Sequence, residues 1–118
     1  MGAFHKLRVW REAHTLALLT YKITAAYPTT ALYGLTSQMR RAAVSVMSNI
    51  AEGCGRNGDR ELTRFLNIAL GSLTELESLT LLSKSLEMCD QSESAQMLNA
   101  IRPLSKMLAR LRTSLAEG

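Results

Sequence analysis

The residues able to do acid–base, nucleophilic or metal chemistry are few in this sequence and lie far apart along it. The two histidines, His5 and His14, fall near the amino terminus, and no Glu-x-x-His pair is present to build a di-iron centre inside a helical bundle. The two cysteines, Cys54 and Cys89, have no Cys or His neighbours, and two lone thiols do not make a zinc site. These spacings argue against an enzyme and against a bound metal.

Three glycines surround Cys54 with the spacing of a phosphate-binding loop but without its other residues. Gly53, Gly55 and Gly58 are not followed by Lys and then Ser or Thr, and no strand-like segment precedes them. A cysteine near a helix start is in a position where thiol pKa values are lowered, yet Cys54 has no partner base. The sequence therefore predicts no catalytic residue and no cofactor.

The basic residues are the remaining candidates for binding chemistry, and they are unevenly spread. Among the 118 residues, 14 are Lys or Arg and 10 are Asp or Glu, which gives a net charge of +4. Residues 1–64 hold nine of the bases and four of the acids, a net charge of +5, so the remainder is slightly acidic. Clustered cations attract phosphate groups. The predicted nucleic-acid-binding residues are Lys6, Arg8, Arg11, Arg56, Arg60, Arg64, Arg102, Lys106 and Arg110.

An ordinary soluble surface is the competing interpretation of these cations. Helices of mixed charge are common, and Glu61, Glu77 and other acids can pair with the arginines. No motif that reads a DNA groove is present, and the aromatic residues Trp10 and Tyr33 are expected to be packed rather than exposed for base stacking. Any binding is therefore expected to be directed at phosphates and weakly sequence-specific.

A polar stripe accompanies the apolar face of the second predicted helix. Steps of three or four residues connect its members, Gln38, Arg41, Ser45, Ser48, Asn49 and Glu52. Either the stripe is a solvated outer face, or it is a buried hydrogen-bond network that fixes the packing register. The predicted network comprises Gln38, Arg41, Ser45, Asn49, Glu52, Ser72 and Glu75. If the stripe is buried, Asn49→Leu or Glu52→Ala is expected to impair folding or assembly.

Four helices are predicted to position these residues, at about 6–27, 35–53, 59–88 and 92–116. Pro28 stops the first helix, Asp59 is the expected N-cap of the third, and Pro103 is expected to kink the fourth near Asn99. Short connections favour an all-α, antiparallel, up-down-up-down bundle that occupies residues 1–118 as a single domain. The third helix has two adjacent apolar seams, which can cover two neighbouring helices, a second subunit, or both.

The composition agrees with a helical fold. Hydrophobic residues make up 47% of the chain and aromatic residues only 5%, so the core is aliphatic and strand-favouring residues are sparse. The longest uncharged stretch, 23–39, contains Pro28 and Gly34 and is not suited to cross a membrane. No signal peptide is recognisable at the start of the sequence. A cytoplasmic location, with no membrane partner and with free thiols, is therefore expected.

Several motifs resemble a known family, and they extend over nearly the whole chain. The matching segments are Phe4-x-x-Leu7-x-Val9-Trp10, Tyr27-Pro28, Tyr33-Gly34-Leu35-x-x-Gln38-x-Arg40-Arg41-Ala42-Ala43-x-Ser45, Ser48-Asn49-Ile50-Ala51-Glu52-Gly53 and Arg64-Phe65-Leu66-x-Ile68-Ala69-x-Gly71-Ser72-x-x-Glu75-Leu76. They resemble the four-helix bundle proteins encoded within intervening sequences of bacterial 23S ribosomal RNA genes. The fourth helix matches only in pattern, and Pro103 departs from the family's usual sequence.

The resemblance implies a left-handed four-helix bundle that assembles into a ring, typically a homopentamer. This family is also similar to the accessory protein of diversity-generating retroelements, a pentameric barrel whose basic surface binds nucleic acid and a reverse transcriptase. Two functions follow as hypotheses. In the first, the protein binds the phosphates of RNA or DNA. In the second, it is a protein-binding scaffold or accessory subunit, for example for a reverse transcriptase. No enzymatic activity is established for the family, which agrees with the sparse chemistry of the sequence.

Overall fold

Residues 3–117 are described by a computed structural model, and within them the chain forms four long helices and no strand. The helices are α1 (Arg8–Thr24), α2 (Ser37–Cys54), α3 (Asp59–Ser85) and α4 (Gln91–Glu117). The molecule measures 45 × 21 × 20 Å, the shape of helices packed side by side. The predicted all-α four-helix bundle is therefore confirmed, whereas its left-handedness stays a prediction.

The core is a continuous aliphatic cluster to which all four helices contribute. Each helix repeats a buried side chain every three or four residues, which is the spacing of one helical face. The largest fully buried side chains include Leu16, Met39, Val46, Ile50, Leu66, Leu73, Leu76, Met97, Ile101, Leu104 and Leu108. Burial of this apolar surface, at roughly 25 cal/mol per Å², is the main force that holds the helices together.

Contacts between neighbouring helices join early residues of one helix to late residues of the next. Along α2 and α3, the Met39 Sδ atom accepts a 3.3 Å hydrogen bond from Ser83, and the Ser45 and Ser72 hydroxyl oxygens lie 2.8 Å apart. Arg102 on α4 contacts Glu77 on α3, and the later Arg112 contacts the earlier Asn67. The pairs α2/α3 and α3/α4 therefore run in opposite directions, while the full up-down-up-down order stays a prediction.

The connection between α2 and α3 depends on two glycines. A Cβ atom at Gly53 would lie 2.9 Å from both the Cδ1 atom of Leu62 and the Cβ atom of Phe65, so only glycine lets the helices approach this closely. Gly58 has φ +88°, a left-handed conformation that glycine adopts at little cost. It occupies the N-cap position of α3, and Asp59 is the first helical residue. The prediction that Asp59 is the N-cap is wrong, because the turn requires a positive φ there.

The other helix ends differ from the predicted bounds by a few residues. A 3₁₀ turn, Phe4–Lys6, precedes α1, and α3 ends at Ser85 rather than Met88. The α2 helix begins at Ser37 because Leu32–Thr36 forms a separate π-helical turn, in which Gly34 departs from helical geometry with φ −120° and ψ −106°. These differences arise at turns, where backbone torsions rather than the apolar period determine the path.

The α4 helix is continuous through Pro103, which lies exposed on its surface. Proline has no N–H to bond the Asn99 carbonyl, so that oxygen has lost its helical donor.

At the start of α4, the Asp90 and Glu93 backbone N–H groups each donate to the other residue's carboxylate, at 3.0 and 2.8 Å. This reciprocal capping box defines the start of α4.

One helix of the bundle is apolar enough to meet a length-and-composition test for crossing a membrane. It is α3, in which an apolar window of 18 residues is 33% buried in the fold. Its Leu66, Leu73 and Leu76 side chains are fully buried against the other helices. A core helix of a bundle has this same composition, so the test is weak evidence for a membrane span.

Candidate nucleic-acid interface

Three arginines lie one helical turn apart where α3 begins. Arg56 belongs to the turn before the helix, and Arg60 and Arg64 are on its first two turns, all with exposed side chains. The guanidinium carbons of Arg56 and Arg64 lie 5.3 and 4.5 Å from the centroid of the Phe65 ring. Cation–π contacts of this kind orient the two guanidinium groups without neutralising them. We call Arg56, Arg60, Arg64 and the nearby Arg112 the arginine cluster.

Arg112 joins the cluster from the last turns of α4. Its guanidinium donates a 3.0 Å hydrogen bond to the Oδ1 atom of Asn67, one turn beyond Arg64 on α3. Arg60, Arg64 and Asn67 also line an open depression of about 540 Å³. Arg112 was not among the predicted binding residues, because only the packing of α4 against α3 brings it close to the other arginines. Because α3 and α4 run in opposite directions, the end of α4 lies beside the start of α3. This arrangement is the signal that could have indicated Arg112.

Two glutamates counter part of this positive charge. Glu52 accepts a 2.8 Å hydrogen bond from Arg56, and Glu61 accepts one of 3.2 Å from Arg64. The bond from Arg64 lowers the pKa of Glu61, and the charges of Arg64, Arg56 and Arg60 add to the effect. Exposed ion pairs of this kind exchange readily with other anions, because water and salt screen the attraction between the two charges. Arg60 forms no ion pair within residues 3–117, so the cluster keeps a net positive charge.

The other predicted binding residues are exposed but form separate groups. Arg102 is paired with Glu77 at 3.2 Å, while Lys106 and Arg110 follow it on the surface of α4. At the amino-terminal end, the Arg11 guanidinium donates to the Lys6 carbonyl oxygen, and Arg8 lies 4.0 Å from Glu12. The structure therefore brings Arg56, Arg60 and Arg64 together as predicted neighbours. It shows no direct contact that joins them to the other two groups.

The polar stripe of α2 lies along a groove between α2 and α3. Ser45, Asn49 and Ser72 are half-buried there, and the Asn49 amide donates to the Ser45 carbonyl and hydroxyl oxygens at 2.8 and 3.0 Å. Together with the Ser45–Ser72 bond, these contacts form a small hydrogen-bonded network. The groove has a volume of about 250 Å³, and its lining includes Gln38, Arg41, Ser45, Ser72 and Glu75.

The ends of the stripe are solvent-exposed in the single chain. Gln38, Arg41 and Glu52 have exposed side chains, and Glu52 contacts Arg56 rather than the serine and asparagine side chains. The stripe is therefore half-buried at its centre and solvated at its ends. Each of the two interpretations made from the sequence describes part of it.

The two aromatic residues expected to be packed behave differently. Trp10 is half-buried and stacks on His14 with ring centroids 5.0 Å apart. Tyr33 is 94% exposed, so the expectation that it is packed is wrong. It lies in the π-helical turn, where Thr36 supplies the buried side chain, while Ala31 of the preceding 3₁₀ turn is also buried.

Groups suited to catalysis remain sparse in the structure. Cys54 and Cys89 are buried free thiols, and burial raises the pKa of Cys54, opposite to the lowering that an activated nucleophile needs. Burial also raises the pKa of Tyr27 to about 12. Among residues 3–117, no three His, Cys, Asp or Glu side chains come together to hold a metal ion.

The fold and this surface define a small four-helix bundle with an arginine cluster at the start of its third helix. Comparison with known proteins gives the family. The model of the 23S rRNA-intervening sequence protein family matches residues 5–110, and the chain belongs to that family. A search of curated proteins finds no matching relative.

A solved structure has the same fold. It is the crystal structure, at 1.70 Å resolution, of a protein of unknown function from the S23 ribosomal protein family of Bacteroides thetaiotaomicron. The match has a TM-score of 0.80 and 20% sequence identity, and it covers 88% of this chain and 97% of the other. Neither this description nor that of the matching family names a catalytic activity.

Proposed function

We propose that this protein is a non-catalytic, cytoplasmic bundle protein that assembles into a pentameric ring and binds the phosphate backbone of RNA or DNA. The observation that supports the proposal most is the arginine cluster. Arg60 and Arg64 line one open depression, Arg56 shares the Phe65 ring with Arg64, and Arg112 bonds Asn67 at the depression's edge. Within residues 3–117, Glu52 and Glu61 are the acids paired with these arginines. Arginine is well suited to this task because its planar donors match phosphate oxygens.

Assembly into a ring strengthens the electrostatic argument. A net charge of +4 per chain becomes about +20 in a pentamer, which is enough to produce a surface potential of several kT. The cluster is then repeated five times around one axis, so a single nucleic-acid chain can contact several copies. Simultaneous contacts of this kind raise the overall affinity well above that of one site.

Neutralising two arginines of the cluster is expected to weaken nucleic-acid binding and its dependence on salt. Each phosphate contact contributes about 0.7 to 0.9 to the slope of log K against log salt, so Arg60→Gln with Arg64→Gln should reduce that slope by about 1.5. The measurement is fluorescence anisotropy of labelled RNA and DNA titrated at several salt concentrations. The matched control is Lys22→Gln with Lys84→Gln, two exposed lysines elsewhere that remove the same charge.

Glu61→Gln is expected to have the opposite effect on affinity in the same assay. Removing this carboxylate frees Arg64 and should tighten binding, whereas Glu87→Gln, distant in sequence and exposed, should have little effect. If RNA and DNA show no binding to the wild-type protein at low salt, the proposal fails. It fails too if the lysine control weakens binding as much as the arginine pair does.

The ring is tested by the mass in solution. Five chains of 13.0 kDa give a particle of about 65 kDa, which multi-angle light scattering separates easily from a monomer. A monomer mass at micromolar concentration would refute the ring while leaving phosphate binding by the single chain open to the anisotropy test.

A second candidate function is that of a scaffold or accessory subunit, for example for a reverse transcriptase. The observation that favours it is a group of exposed leucines at the end of α3, where Leu81, Leu82 and Leu86 are 43, 47 and 54% exposed. Exposed apolar groups of this kind are typical of protein-binding surfaces. A neighbouring reverse-transcriptase gene with a template repeat would favour this function, whereas location within a ribosomal RNA gene would favour the intervening-sequence type.

A further inference from the structure

Tyr33 is the most exposed of the large hydrophobic side chains in the part of the chain that the structure describes. It is 94% exposed, on the π-helical turn that precedes α2. The arginine cluster follows the opposite end of α2, and a helix of 18 residues is about 27 Å long. Tyr33 is therefore a feature separate from the cluster, and a change at one should not disturb the other.

The surroundings of Tyr33 combine aromatic rings with positive charge. Tyr21, Leu32, Tyr33, Arg40 and Arg41 line an open cavity of about 290 Å³, together with the Ser37 side chain. None of the lining residues is acidic. We call this set the tyrosine–arginine pocket.

The two arginines of the pocket differ in how they are held. The Arg40 guanidinium lies 4.6 Å from the centroid of the Tyr21 ring, and its Nε donates a 2.9 Å hydrogen bond to the Thr24 hydroxyl. These contacts fix Arg40 as part of the pocket wall. Arg41 is exposed and forms no ion pair or side-chain hydrogen bond within residues 3–117. Its guanidinium is available to an anionic ligand.

A nucleotide of single-stranded nucleic acid has the chemistry that this pocket fits. An unpaired base presents a flat π face, and proteins that bind single strands hold such bases on exposed aromatic side chains beside cations that contact the backbone. A base inside a duplex is already stacked on both sides, so it cannot reach Tyr33 without unpairing. An acidic peptide would satisfy Arg41 but offers no flat ring for an aromatic side chain that is almost entirely in water.

We propose that Tyr33 stacks on an unpaired base of a single-stranded RNA or DNA while Arg41 contacts the adjacent phosphate. The inference rests on the proposed nucleic-acid binding and adds a ligand class, single strands in preference to duplexes. It also adds a second contact region, because the pocket lies about one α2 length, roughly 27 Å, from the arginine cluster.

The test compares one single strand with one duplex. Labelled oligo(dT) of 20 nucleotides and a 20-base-pair duplex are titrated at low salt with wild-type protein, Tyr33→Ala and Tyr33→Phe. Tyr33→Ala should weaken single-strand binding about tenfold, because aromatic stacking contributes that much per base, and leave duplex binding unchanged. Tyr33→Phe retains the ring and should bind as the wild type does. Leu18→Ala, which shortens another exposed apolar side chain on α1, should change neither affinity.

Two further readouts separate stacking from charge. Arg41→Gln should reduce the slope of log K against log salt by about 0.7 on the single strand, whereas Tyr33→Ala should leave that slope unchanged. In a Trp10→Phe background, Tyr33→Trp places a reporter in the pocket. Its fluorescence should be quenched by the single strand and not by the duplex.

The outcomes that overturn the inference differ from those that overturn nucleic-acid binding itself. Equal affinity for both probes, with Tyr33→Ala indistinguishable from wild type, refutes the stacking role while phosphate binding stands. If Tyr33→Ala instead lowers the mass in light scattering, Tyr33 is a contact between copies of the chain and the inference is wrong. Absence of binding to both probes, and to an RNA single strand and an RNA duplex of the same length, refutes both proposals.

Discussion

Gly53→Ala is expected to lower the free energy of unfolding by about 1–3 kcal/mol, the usual cost of overpacking a closely fitted contact. The added methyl group would lie 2.9 Å from the Leu62 Cδ1 atom and 2.9 Å from the Phe65 Cβ atom. The leucine methyl can rotate away, but the Phe65 Cβ is fixed to the α3 backbone. Relief therefore requires α2 and α3 to move apart near the turn that connects them.

Urea unfolding followed by circular dichroism measures the effect of Gly53→Ala. Gly71→Ala is the matched control, because a Cβ at that exposed helical position would meet no atom within 4 Å beyond its chain neighbours and its own helix backbone. There, alanine should stabilise the protein by up to about 1 kcal/mol, since glycine is the poorer helix former. If the two variants are equally stable, the close approach at Gly53 does not constrain the fold.

Leu73→Ala is expected to be the most destabilising of these single changes, by about 3–5 kcal/mol. Leu73 is fully buried at the centre of α3, in the core shared by the four helices. Removing its three outer carbon atoms loses their transfer energy and leaves a cavity that surrounding side chains only partly fill. This loss is comparable with the whole stability of many domains of this size.

Thermal unfolding at fixed protein concentration measures the loss, because the proposed assembly would make stability depend on concentration. Leu82→Ala is the matched control on the same helix, with a side chain that is 47% exposed. It should change stability by less than about 1 kcal/mol. A similar loss in both variants would mean that Leu82 is as buried as Leu73 in solution, as it would be beneath a partner chain.

The helices and the core could be predicted from the sequence because the apolar period determines both. Leu66, Leu73 and Leu76 recur at helical spacing and are all fully buried. The turns could not be predicted at the same precision. Gly58 and Asp59 are both good N-cap residues by type, and only the positive φ of the turn shows that the glycine occupies the position.

The candidate site divides in the same way. The neighbours Arg56, Arg60 and Arg64 could be predicted because they lie close together along the chain. Arg112 could not, because its contact with Asn67 spans 45 residues. Tyr33 could not either, since an aromatic residue in a turn has no periodic neighbours to indicate which side it faces.

The polar stripe shows why spacing alone left two interpretations open. Ser45 and Asn49 have the same helical spacing as the exposed members of the stripe. Their burial depends on how closely α3 approaches α2, and Ser72 supplies the hydroxyl that pairs with Ser45 across that gap. Distance between helices is determined by side-chain volume at the whole interface, which a polar pattern on one helix does not report.

The four-residue turn between α2 and α3 also bears on how the bundle folds. Closing a loop costs about 0.6 kcal/mol more for each doubling of its length. The contact between Thr20 on α1 and Met97 on α4 closes a loop of 77 residues. This loop is about four doublings longer than the four-residue turn, so its closure costs roughly 2.5 kcal/mol more in entropy. The α1/α4 contact is also the smallest of the four between neighbouring helices. Local opening of the bundle is therefore expected to begin where its first and last helices meet.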